Sequence, residues 1–175
     1  MEIGDALEKW HDFYVLLGTG AAALVALLFV AVSLGAGFLT EERAEATRTF
    51  FSPVVVHFAT AFFLACIALV PGHRYVFFAM LIAAAGVAGL GVSAYTTVKF
   101  FARYRTPYWS DHLAYVALPA IAYCALLAAA ALACAGREEA LDLLAGALLL
   151  LLLVNIRNAW DLMLSMVRRH AEPPQ

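Results

Sequence analysis

Four runs free of charged side chains, residues 13–40, 49–73, 75–98 and 112–136, decide what this chain can become. A helix needs about 20 consecutive apolar residues to cross the ~30 Å hydrocarbon core of a bilayer, and each run is long enough. A shorter run lies between Asp142 and Arg157. As a helix it measures roughly 22 Å at ~1.5 Å per residue, so it spans only if those two side chains snorkel to opposite interfaces.

Composition agrees with lipid as the solvent. The chain of 175 residues is 65% hydrophobic and 14% charged, against about 25% charged in an ordinary soluble domain. A soluble fold of this size could not hide so much apolar surface. The net charge of −2 offers no basic excess for nucleic acid. Nine arginines to two lysines, with alanine and leucine abundant, is the usage of a GC-rich bacterial genome. Residues 1–12 carry Glu2, Asp5, Glu8 and Asp12 where a signal peptide would be basic, so the first run is expected to stay as a helix. The reading is an all-α, polytopic protein of the plasma (inner) membrane, with one transmembrane domain over residues 1–170. Its five spans are placed at about 13–39, 52–70, 76–98, 113–135 and 140–160. The last helix extends amphipathically to about 169, and residues 171–175 form a mobile tail.

Local signals punctuate these spans. Residues 2–12 read as a short amphipathic surface helix, with Trp10, Phe13 and Tyr14 as an interfacial belt. Thr40 before Glu41 and Glu42 reads as the cap of a short loop helix, and Ser52-Pro53 as the start of the second span. Pro71-Gly72 makes a turn, and Gly136 ends the fourth helix. Pro119 is expected to free the Tyr115 carbonyl and kink its helix. Ala85, Gly89, Ser93 and Thr97 recur every four residues, a small-residue stripe that lets backbones approach, either within the bundle or at an oligomer seam. Between the third and fourth spans Lys99, Arg103 and Arg105 interleave with Phe100, Phe101, Tyr104, Tyr108 and Trp109. In a membrane protein this pattern is a headgroup-level belt before it is a platform for single-stranded nucleic acid. Cys66, Cys124 and Cys134 lie in apolar runs without metal-type spacing and read as small hydrophobes. A Cys66–Cys134 bridge is the alternative.

The stretch Leu148–Arg169 is the place to look for function. Six leucines run into Asn155, Arg157, Asn158 and Asp161. Arg157 and Asp161 have the i, i+4 spacing of a helical ion pair, and the asparagines can hydrogen-bond to neighbouring helices. The cluster is either a polar collar at the inner interface or, in a homo-oligomer, the cytoplasmic mouth of a pore. Beyond it Ile156, Trp160, Met163 and Val167 share one helix face, and Asn158, Asp161, Ser165 and Arg168 another. His57 is an intramembrane ionisable residue, hence a hydrogen-bonding or ligand-binding group. Paired with His112 it would suit a haem, the most distant reading. No P-loop, G-x-S-x-G or paired intramembrane carboxylates occur, so neither an enzyme nor a bound metal or cofactor is expected.

Basic residues set the expected orientation. With five spans, Lys9, Arg74 and Arg137 fall on one side. Arg43, Arg48, Lys99, Arg103, Arg105, Arg157, Arg168 and Arg169 fall on the other. The positive-inside rule puts the N-terminus outside and the C-terminus in the cytoplasm. The expected function is an accessory or modulatory subunit of a larger membrane complex, with a homo-oligomeric channel as the alternative. Expected partners are lipid and other membrane proteins or further copies of the chain, not nucleic acid.

Overall fold

Apolar runs removed from water leave the backbone only local partners for its N–H and C=O groups, and the helix supplies them all. In a computed structural model of the protein, which describes residues 7–35, 41–71, 75–103 and 112–171, every regular element is a helix. We number them α1 (His11–Gly35), α2 (Glu41–Ala68), α3 (Tyr75–Arg103), α4 (Leu118–Cys134) and α5 (Glu139–Ala171). One π-helical turn, Leu113–Ala117, leads into α4.

Successive helices run antiparallel. Gly18 near the start of α1 meets Ala65 near the end of α2, and Gly86 and Gly89 of α3 meet Leu127 and Tyr123 of α4. Helix α2 is the hub, packed on α1, α3 and α5, while α4 packs between α3 and α5. Tyr14, Phe58, Phe78, Ile82, Tyr123, Leu126, Leu144, Leu148 and Leu151 fill the core and are essentially inaccessible. Leu16, Leu27, Val87 and Val98 point outward, as lipid-facing side chains would.

Four helical stretches are long and apolar enough to cross a membrane: His11–Ala31, Val76–Lys99, Leu113–Cys134 and Glu139–Asp161. They give the chain the build of a multi-pass membrane protein. The expected count of five is therefore corrected to four, and the shortfall lies in an unexpected helix. The last span, short by sequence, qualifies because Asp142 and Arg157 sit near the two ends of its apolar stretch. The second falls short. Its apolar part, Pro53–Ala68, measures only about 24 Å at ~1.5 Å per residue, and the preceding turns carry Glu41, Glu42, Arg43, Glu45 and Arg48.

Three local expectations also change. Ser52 starts no helix, because α2 begins at Glu41 and runs unbroken through Pro53. The proline forfeits one backbone bond, that of the Thr49 carbonyl, and packing holds the helix across it. Tyr14 belongs to the core and not to an interfacial belt; its hydroxyl donates to the Leu141 carbonyl at 3.4 Å, while Phe13 packs edge-on and Trp10 tilted against its ring. The three cysteines are free and exposed on the outer surface, so no Cys66–Cys134 bridge forms. Gly136 does end α4, with φ of +67°. Its amide donates to Ala133 and that of Arg137 to Leu132, the paired bonds of a left-handed glycine cap. The Thr40 cap, the Pro71-Gly72 turn beyond Pro71, most of the aromatic-basic loop and the tail lie outside the described residues.

Gly89 sets the approach of α3 to α4. A Cβ there would fall inside the ring of Tyr123, whereas Gly91, one face over, has open space. Gly89→Ala should therefore lower the melting temperature in mild detergent, at a cost of about 1–3 kcal/mol for overpacking. Gly91→Ala should leave it unchanged or raise it slightly, since alanine favours helix by about 1 kcal/mol.

Candidate functional site

Tyr123, seated over Gly89, carries its hydroxyl across the bundle from α4 to α2. There it lies 2.6 Å from Nδ1 of His57, with the ring centroids 5.3 Å apart. Both residues are buried, His57 with 3% and Tyr123 with none of its surface accessible. The hydroxyl donates and Nδ1 accepts when the imidazole carries its proton on Nε2, and the roles reverse when the proton is on Nδ1. A charge-neutral pair of this kind is the stable way to keep two polar groups away from water.

A second set of contacts joins α5 to the start of α4. In the π-helical turn the amide of Leu118 bonds to the carbonyl of Leu113. In that register the next amide, residue 119, would bond to Ala114, but Pro119 has no N–H. Asn158 supplies the missing donor: its Nδ2 lies 3.1 Å from the Ala114 oxygen. Tyr115 answers by donating its hydroxyl to the Asn158 carbonyl at 3.3 Å. The carbonyl left open by the proline is thus that of Ala114 and not that of Tyr115, because the helix widens by one residue before it reaches the ring.

The four polar residues singled out on α5 separate into two pairs. Asn155 and Asn158 are buried, while Arg157 and Asp161 are about 40% exposed in their side chains and form the expected i, i+4 ion pair at 3.4 Å. Arg157 also lies 3.4 Å from Oδ1 of Asn158. Asn155 does not reach a neighbouring helix; its Nδ2 donates to Leu151 of its own helix at 2.6 Å. The amphipathic pattern is inverted relative to a helix in water. Asn158 faces inward at 2% exposure, and Trp160 faces outward at 65%.

Within the small-residue stripe, Gly89 lies against Tyr123 of α4. Gly89 and Ser93 are buried, Ala85 and Thr97 half-buried. The two histidines of the haem reading go to different partners, His57 to Tyr123 and His112 to a stacked contact with Phe101 at 5.3 Å. Among the described residues no group of three histidine, cysteine or acidic side chains is placed to hold a metal ion. Sequence reasoning marked His57 but missed Tyr123 and Tyr115. The available signal was a phenol deep in an apolar run, a group that needs a partner there. Comparison with protein-family models, curated proteins and solved structures finds no match of any of the three kinds.

These contacts make a testable ordering. Asn158→Leu leaves the Ala114 carbonyl buried and unpaired and should cost about 1–3 kcal/mol, read as a fall in melting temperature. Asp161→Asn breaks only a half-exposed ion pair and should cost under about 1 kcal/mol. Adding Pro119→Ala to Asn158→Leu returns a backbone amide to the gap, so the double variant should melt above Asn158→Leu alone.

Proposed function

We propose that the protein is a small integral subunit of the plasma (inner) membrane that supports or modulates a larger membrane complex. The observation that carries this reading is the direction in which its polar groups face. His57, Tyr123, Asn155 and Asn158 bond within the chain, and the flank of α5 turned outward is apolar. Leu149, Leu153, Ile156, Trp160 and Leu164 follow one another at three- and four-residue intervals along it, each more than a third exposed. Such a ridge suits contact with a helix of another membrane protein. A subunit that works by association needs no catalytic group.

The sorting of basic residues supports an outside N-terminus and a cytoplasmic C-terminus. Were α2 to cross together with the four long apolar helices, the chain order would put eight lysines and arginines on the side of the C-terminus and three on the other. The pore reading would rest on Arg157 and Asp161, since the two asparagines on α5 are turned into their own bundle.

The test is the native mass and composition of the protein extracted from its own membrane in mild detergent. The expected result is a stoichiometric complex with another polypeptide, weakened by Leu153→Glu or Trp160→Glu while the melting of the isolated protein is unchanged. A bare monomer would remove the accessory reading. So would a closed homo-oligomer whose ion flux in liposomes is abolished by Arg157→Leu with Asp161→Leu, and that result would establish the pore.

A further inference from the structure

Two buried polar atoms have no hydrogen-bond partner among the described residues: Oδ1 of Asn155 and Oγ of Ser93. Asn155 is inaccessible and Ser93 is 4% exposed. The orientation of the amide is not arbitrary. Its Nδ2 lies 2.6 Å from the Leu151 carbonyl, and turning the group over would set two oxygens against each other. Oδ1 is therefore the atom left facing the interior as an acceptor. Thr60, Thr96 and Thr97 each donate to the carbonyl four residues back in their own helix. Ser93 does not.

The contacts already described put these atoms at one height. Gly89 lies against Tyr123, so Ser93, one turn further along α3, is level with Pro119 of the antiparallel α4. Asn158 is opposite Ala114, so Asn155, three residues earlier on α5, is level with Ala117. Pro119 and Ala117 differ by about 3 Å along the axis, at ~1.5 Å per residue. On α2, Val54 and Phe58 cluster with Leu152 and Ala159, which places His57 beside the turn of α5 that holds Asn155. Helices α2, α3, α4 and α5 pack as a ring, α3 and α5 each touching α2 and α4. Three of the four walls thus bring a buried polar residue to this layer, His57, Ser93 and Asn155, and from the fourth Tyr123, rooted about one turn away on α4, reaches His57 with its hydroxyl.

We infer that this layer is a binding site for one ordered water, held between Asn155 Oδ1 and Ser93 Oγ. The chemistry selects water over an ion, because none of the four side chains is a carboxylate, lysine or arginine to balance a charge. Water can donate to the amide oxygen and bond with the serine hydroxyl, and the imidazole of His57 at the same height offers a third partner. Two to four such bonds are what a buried water requires. The water then ties α3 to α5, the two walls that the ring keeps apart, as the histidine–tyrosine bond ties α2 to α4. The site stands on the interior geometry alone and is independent of the accessory role.

The experiment is NMR cross-relaxation between water and the Asn155 side-chain amide, in protein labelled with ¹⁵N at asparagine and held in detergent micelles. The expected result is a contact of the sign that marks a long-lived water, lost in Ser93→Ala while the Asn158 side-chain amide keeps its native chemical shift. Absence of the contact in the wild-type protein overturns the inference without any variant. Persistence of the contact in folded Ser93→Ala also overturns it, since the water would then not be held by the serine.

Discussion

Inside a bilayer a polar group is satisfied by the protein or by a water the protein holds, because the hydrocarbon offers neither donors nor acceptors. The hydrogen bond between Tyr123 and His57 is where this constraint reaches furthest into the bundle. The phenol must lie across the bundle to reach the imidazole, and it can lie there only because Gly89 leaves the space a side chain would occupy. The spacing of α3 from α4, the rotation of α4 and the inward turn of His57 are consequently one decision. A change in any of them strands a buried polar atom, whose cost is about 1–3 kcal/mol.

The start of α4 obeys the same rule by a different route. A proline in a span removes a donor, and the chain answers with a π-helical turn and a side chain from another helix. Asn158 acts as a substitute amide, and the hydroxyl of Tyr115 returns to the backbone of the residue that made the substitution. This reciprocity pins the turn of α5 that carries Arg157 and Asp161, so the ion pair stands on a fixed base. Polar residues that look like a functional mouth in the linear sequence are here, in part, the repair of a backbone defect.

Much of this architecture was legible in the sequence. Charge-free runs locate the helices, Gly136 marks the end of α4, the spacing of Arg157 and Asp161 foretells their pairing, and the interval of Gly89 and Ser93 foretells a close-packed face. What stayed hidden depends on helix rotation and register. That His57 meets Tyr123, that Asn158 meets Ala114 and that the cysteines face outward follow from how five helices turn against one another, and no local pattern encodes it. The limits of α2 were misread for a related reason. Ser52-Pro53 is a good local start for a helix, but the helix it was expected to start is already under way from Glu41. The candidate site was half legible: the residues on α5 were marked, and the interior positions of the two asparagines were not.

The shortness of the apolar part of α2 bears on the membrane itself. Its neighbours present stretches such as Val76–Lys99, while α2 offers Pro53–Ala68, with Phe62 and Phe63 turned outward. The girdle that meets the lipid is therefore not of even height around the perimeter. Were α2 to cross with the others, lipid beside it would have to compress or tilt to match, at a cost of fractions of a kcal/mol for each ångström of mismatch. A bilayer deformed on one side only pulls toward that side whatever shares the same deformation. The bundle would then carry a preferred lateral direction, and a preference for thin membranes, without any specific contact to provide either.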